Sequence, residues 1–308
     1  MTACATTSRP TYDIVIRNGT IYDGSGADPV RGDVAINGDR IAAVGRVDGA
    51  GKTEIDAHGL GVAPGFINIM SQAQESLIAD GRGMSDIKQG VTTEIFGEGE
   101  SMGPLSPAMK EEIKTYQTDI KYDVVWTTLG EYLLWLTQRG VSPNVGSFIG
   151  AATPRINVLG RANRAPTAAE LDQMRALVRQ AMQDGAFGVA SALIYAPGAY
   201  AKTDEMIELS KAAAPYGGMY ISHMRSEGNR LLEAVDELIT IAREAGVRRD
   251  LSPQSGRAAE LVEDGRRHPS RRIRAGEWIA DQRRHVHLHR RRNRTRRRNA
   301  DMGAGGRS

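Results

Sequence analysis

The sequence predicts an α/β fold, with a small β unit over residues 1–62 and, over 63–247, a domain in which strands alternate with helices. Three observations predict it. From Tyr12, apolar residues alternate with period two through DIVIRNGTIYDG and GDVAINGDRIAAVG, the pattern of half-buried strands. From VAPGFINIM onward, short apolar runs recur near 65–70, 91–96, 144–149, 187–191 and 219–223. Between them lie stretches of helical periodicity near 74–89, 107–117, 128–138, 168–183, 204–214 and 229–245. Repeated strand-then-helix units imply a parallel sheet covered by helices, either doubly wound or closed as a (β/α)8 barrel.

Taken in order, Asn37-Gly38 sits between two alternating runs and supplies the positive φ angles of a type I′ hairpin turn, so the first unit reads as antiparallel. In the second unit, Thr167 with Glu170 three positions on forms a capping box, and Leu171, Met174, Leu177, Val178 and Ala181 mark one apolar face behind it. Thr203 opens the next helix in a similar way. Five strands precede residue 247, fewer than the eight that close a barrel. No GxGxxG follows a strand and no GxxxxGK[ST] occurs, so nucleotide-binding folds lose their usual phosphate cradle. In a barrel, chemistry comes from the C-terminal ends of strands, here Asn68 to Gln72, Gly97 to Glu100, Ser191 to Tyr195 and His223 to Glu227.

Composition divides the 308 residues differently. Lys and Arg number 40 against 37 Asp and Glu, a net +3, but residues 248–308 hold 18 Arg, no Lys and 7 acids, a net +11. Residues 1–247 are therefore at −8, and all Phe and Tyr residues lie there. Cys4 is the only cysteine, which excludes a disulfide framework and a CxxC site. No run approaches the roughly 18 apolar residues of a membrane span, and the start MTACATTSRPTYD lacks an apolar targeting core. The expectation is a cytoplasmic protein without a membrane partner.

Three segments carry a family resemblance: NGTIYDGSGADPVRGDVAINGDRIAAVG with GVAPGFI, then GVTTEIFGEGESMGP, and then GAFGVASALIYAPGAYAKTDEMIELSKAAAPYGGMYISHMRSEGNRLLEAVDELITIAREAG. Residues 12–247 resemble the D-aminoacylase (N-acyl-D-amino-acid deacylase) branch of the amidohydrolase superfamily. The resemblance implies a metal-dependent (β/α)8 hydrolase barrel beside a small β domain, here truncated after about five strands. It also implies hydrolysis of the N-acyl amide of D-amino acids, with a small-molecule substrate and a zinc cofactor. Zinc in such enzymes polarises the amide carbonyl and lowers the pKa of a bound water. A related amidohydrolase acting on a cyclic amide or another N-acyl compound is the alternative.

Carried over residue by residue, the resemblance is uneven. Members usually have His-x-His at the end of the first barrel strand, where this chain has Met70 and Gln72, so the ion held by that pair is absent and one zinc is expected. The family's metal cysteine after the second strand falls in Gly97-Glu98-Gly99-Glu100; Glu98 is the expected metal ligand, with Glu100 as the alternative, because a carboxylate can replace a thiolate on zinc. His223 matches the metal histidine of the fifth strand, and Tyr195 and Arg225 match substrate-pocket positions suited to an amide and a carboxylate. The family's sixth-strand His-Leu-Lys and its catalytic Asp have no counterpart here, so the chain is expected to be nearly inactive.

The tail carries its own expectation. Shifting the reading frame lets Asp250 to Gly256, DLSPQSG, give IYHLKAA, which restores the missing His-Leu-Lys, and the same shift continues to give family-like text downstream. CGN arginine codons also become GNN codons on such a shift. Residues from about 248 onward are therefore expected to be an aberrant, disordered, out-of-frame product ending at an early stop. Read at face value, His285, His287 and His289 alternate like ligands, and the arginines suit phosphates. No aromatics interleave to stack bases, so incidental polyanion binding is expected and no specific nucleic-acid partner.

Overall fold

A computed structural model describes residues 10–251, with side chains as far as Arg248, in two compact units that part between Pro64 and Gly65. The expectations for the tail beyond Leu251, including its disorder, its histidines and its arginines, concern residues outside those described.

The first unit is one sheet of β1 (Thr11–Ile21), β2 (Val30–Asn37), β3 (Arg40–Gly45), β4 (Ala50–Asp56) and β5 (Gly61–Val62). Its order is β3-β2-β1-β4, with β5 also on β1. The sheet is mixed, not antiparallel as its alternation suggested: β4 and β5 run parallel to β1. Alternation reports which face is buried and is blind to strand direction. The β2–β3 hairpin forms where expected, yet Asn37 pairs with Arg40, so the central residues are Gly38 and Asp39. Only Gly38 has positive φ there, the pattern of a type II′ turn rather than a type I′ turn, which needs two. Val15, Ala35 and Val47 form the small core of this unit.

The second unit carries β6 (Phe66–Asn68), β7 (Val91–Phe96), β8 (Asn144–Ser147), β9 (Ile149–Gly150), β10 (Gly188–Ala192), β11 (Met219–His223) and β12 (Arg248–Leu251). Every pairing among them is parallel and follows chain order, β6-β7-β8 and β9-β10-β11-β12. One extended stretch, residues 144–150, serves both groups. Its Phe148 N–H donates to Phe96 on one side, and the N–H of Ala151 just beyond donates to Ala190 on the other. The sixth position, β12, was not expected. Three charged residues in a row hide any apolar alternation, whereas parallel pairing to Met219–Ser222 is made by the backbone.

Helices α1 (Ser76–Ala79), α2 (Met84–Ile87), α3 (Pro107–Tyr116), α4 (Leu129–Arg139), α5 (Ala152–Leu159), α6 (Ala168–Asp184), α7 (Thr203–Ala213) and α8 (Leu231–Ala245) connect the strands. The helix expected over 74–89 is two short pieces, broken at 80–83, where Gly83 takes φ +54°. Helix α5 was missed because it starts two residues after β9 with no polar linker to announce it. The capping box of Thr167 and Glu170 on α6 is present in both directions. At α7 the cap is Lys202, with no side-chain bond; the Thr203 hydroxyl is turned to Glu237 at 2.9 Å instead. Residues Met174, Val178, Leu209, Leu238 and Ile241 of α6, α7 and α8 are at most 1% exposed in the main apolar core.

One core group is costly. Glu94 of β7 is 1% exposed, and neither carboxylate oxygen has an aligned hydrogen-bond partner. Burial pushes its pKa up, and Asp86 adds to the rise against the opposing effects of Ser71 and Asn68. A carboxyl raised in the fold destabilises it progressively as pH climbs from the unfolded value through the folded one. Glu94→Gln is therefore expected to stabilise the chain by about 1 kcal/mol at neutral pH. In urea unfolding, that gain should shrink below pH 5; an equal effect at both pH values would show that Glu94 carries no buried charge.

Candidate metal and substrate site

The strand ends flagged above converge. After β7, Gly97 (φ +99°) and Gly99 (φ +71°) take left-handed conformations that a side chain would oppose. A Cβ on Gly97 would lie 2.3 Å from the Phe148 carbonyl oxygen. The two glycines make the tight turn that buries the carboxylate of Glu98 between them, leaving its side chain 7% exposed. Glu98 Oε2 accepts a 2.9 Å hydrogen bond from the Gln72 amide. Its Oε1 lies 3.2 Å from His223 Nδ1 at the end of β11, yet accepts no aligned hydrogen bond from any group. Burial raises the Glu98 pKa, while His223 and Gln72 oppose the rise.

The other nitrogen of His223, Nε2, lies 3.3 Å from Glu227 Oε1. Tyr195 stands edge-on to the imidazole with ring centroids 5.1 Å apart, and is 59% exposed. A cleft of about 270 Å³ opens above, lined by Gln72, Gln74, Glu98, Glu100, Tyr195 and the 196–198 turn among others. A larger hollow of about 590 Å³ lies away from the strand ends, between Ile78, Trp135, Arg139 and residues 119–125. It shares no residue with this site.

The expected residues thus separate. Glu98, His223 and Tyr195 come together. Glu100 reaches the cleft but is half exposed, 3.7 Å from Arg161, so Glu98 is the buried carboxylate of the two. Arg225 turns away. Its guanidinium grips Glu237 at 2.9 and 3.0 Å and the carbonyls of Ala199 and Ala201 at 3.1 and 2.8 Å. It braces the loop behind Tyr195 and does not line the cleft, because a buried-edge glutamate outcompetes an open pocket for the cation. Met70 offers no ligand atom suited to zinc, and Gln72 acts as the clamp on Glu98. Glu227 was missed as a site residue although it stood in the flagged strand end; only its approach to His223 singles it out.

Two zinc bonds of about 2.0–2.1 Å at a tetrahedral angle set their ligand atoms roughly 3.3 Å apart. The 3.2 Å between Glu98 Oε1 and His223 Nδ1, with Oε1 otherwise unsatisfied, fits such a pair. Among the described residues no group of three or more His, Cys, Asp or Glu side chains forms a complete metal cluster. The pair would account for two positions of a site.

No family model matches the chain. It is 34% identical over 245 residues to the D-aminoacylase of Alcaligenes xylosoxydans xylosoxydans, covering 77% of this chain and 49% of that one. The N-acyl-D-aspartate deacylase of the same organism is 34% identical over 77% of this chain and 48% of its own. A crystal structure of D-aminoacylase, an amidohydrolase, superposes with TM-score 0.71 at 30% identity, over 82% of this chain and 55% of the other. Over these residues the chain is a D-aminoacylase homologue. It spans about half the length of the relatives it matches. The N-acyl-D-glutamate deacylase of Bordetella bronchiseptica, solved with zinc and a phosphonate mimic of the tetrahedral intermediate, superposes with TM-score 0.70 at 28% identity. D-aminoacylase itself is described with a binuclear metal centre in which one metal activates and the second attenuates. Among the described residues no helix is long and apolar enough to cross a membrane.

Proposed function

We propose that this chain carries the metal and substrate cleft of an N-acyl-D-amino-acid deacylase built on a (β/α)8 barrel. The observation that carries the reading is the buried Glu98 Oε1 facing His223 Nδ1 across 3.2 Å beneath a cleft edged by Tyr195. Glu98 and His223 would hold a single zinc, whose chemistry when bound is to polarise the amide carbonyl and acidify a water. Gln72 keeps Glu98 aimed at that position. Tyr195, exposed beside the imidazole, is placed to offer its hydroxyl to the acyl oxygen of a substrate in the cleft. With Met70 and Gln72 where the family resemblance implies a His-x-His pair, the second ion is not accommodated. Two protein ligands are fewer than the three a catalytic zinc site keeps, so the chain as it stands should turn over slowly if at all.

The reading also includes the tail: residues from about 248 derive from a shifted frame. Resequencing the DNA around the codons for Gly246 to Leu251 tests this, and an undisturbed frame without family-like continuation beside it would end it. For the chemistry, this chain and a frame-restored version should be assayed with N-acetyl-D-amino acids, their L-isomers and a cyclic amide. Hydrolysis of the D-isomers by the restored version, with little by this chain, is expected. Preference for the cyclic amide would move the assignment to another amidohydrolase.

A further inference from the structure

We propose that Glu227 is the positioning residue for His223: it takes the imidazole N–H on Nε2 and so keeps the Nδ1 lone pair turned toward Glu98. This rests on the reading of Glu98 and His223 as metal ligands, and it names a third residue on which that pair depends.

A neutral imidazole carries one N–H and one lone pair, yet both nitrogens of His223 face carboxylate oxygens, at 3.2 and 3.3 Å. One proton must choose between two acceptors. On the Nδ1 side, Glu98 already accepts from Gln72 through Oε2, and its Oε1 is buried without an aligned donor. With the proton on Nε2, two electron pairs face each other there, an arrangement that a cation between them would stabilise. On the Nε2 side the acceptor is Glu227, whose side chain is 17% exposed and retains some hydration as a carboxylate. A metal-binding histidine usually donates its second N–H to a carboxylate or carbonyl, which selects the tautomer and orients the ring.

The surroundings are built to hold this choice. The Tyr195 ring stands edge-on to the imidazole and restricts its rotation. The segment bearing Glu227 is tied down two residues earlier, where Arg225 joins Glu237 of α8 to the carbonyls of Ala199 and Ala201. Arg225 thereby acts on the metal pair at one remove, by fixing the chain from which Glu227 reaches back.

The test uses the full 308-residue chain in a background with His268, His285, His287 and His289 changed to Gln, so that tail histidines do not compete for metal. Long-range proton–nitrogen correlation spectra of metal-free, ¹⁵N-labelled protein at pH 8, assigned by difference with His223→Ala, report the tautomer. The Nε2–H form is expected, giving way to a mixture or to Nδ1–H in Glu227→Ala. In Glu227→Gln the side-chain oxygen still accepts, so the Nε2–H form should survive. Zinc titrations should show affinity lowered about 10–100-fold in Glu227→Ala and less in Glu227→Gln, the range expected for a partner behind a metal ligand. Circular dichroism confirms that each variant is folded. An Nδ1–H tautomer in the parent, or a tautomer unmoved by Glu227→Ala, overturns the role of Glu227. Zinc retained by His223→Ala overturns the metal reading instead, and the tautomer still decides the proposal.

Discussion

His223→Ala is expected to lower the zinc affinity of the chain at least 100-fold, more than the roughly 10–100-fold that outer partners cost. On the proposed reading the imidazole is one of two ligands, and alanine leaves Glu98 alone. A lone carboxylate in a buried turn holds zinc poorly, because borderline ions favour nitrogen and sulfur donors. Glu98→Gln should act similarly but leave more affinity, since His223 and hydration can still share the ion. Metal content after equilibrium dialysis, in the background lacking the four tail histidines, is the measurement. A frame-restored version should lose N-acyl hydrolysis with the same two substitutions. Zinc bound at full stoichiometry by His223→Ala would place the ion elsewhere and remove the basis for the proposed function.

The largest effect on stability is expected at Arg155. Arg155 on α5 is fully buried, with Nη1 2.9 and 2.6 Å from the two oxygens of Glu205 at the start of α7 and Nη2 donating to the carbonyls of Ala162 and Arg164. Arg155→Met leaves a buried carboxylate and two part-buried carbonyls without their donor. Breaking a buried pair in this way costs about 3–5 kcal/mol. Burial already pushes the Glu205 pKa up, and the guanidinium is what opposes it. Without the guanidinium the rise is larger, so the fold penalises the charged form more as pH climbs above the unfolded value. The variant should be more destabilised at pH 7.5 than at pH 5, and adding Glu205→Gln should return part of the loss. Denaturant midpoints at both pH values check this; a loss independent of pH would mean that Glu205 is not the group left uncompensated. Since α5 also carries Ala152 to the cleft, zinc affinity should fall with stability in this variant.

Much of the scaffold was readable because burial leaves a periodic trace. Strands Val91–Phe96 and Met219–His223 were expected with those bounds, and the capping box of Thr167 and Glu170 announced α6. The misreadings have local causes. Arg248–Leu251 pairs through its backbone beneath a charged sequence, and Thr203 gave its hydroxyl to Glu237 rather than to a cap. In the site, Glu98, His223 and Tyr195 were expected together and stand together, whereas Arg225 was expected in the pocket and is held by Glu237. A guanidinium suits a substrate carboxylate and a neighbouring glutamate equally well, and residue type alone does not choose between them.

The amino-acid sequence by itself determined the alternation of strands and helices, the change of charge at residue 248 and the residue types available for a metal at the strand ends. Those properties are local: a hydrophobic period, a run of charge and a side chain's donor atoms do not depend on distant residues. Only the tertiary structure decided which oxygen of Glu98 is unsatisfied, that Gln72 holds the other, and that Glu227 stands behind His223. Gln72, Glu98, His223 and Glu227 come from the ends of three different strands, and the contacts that give each its role are made across space.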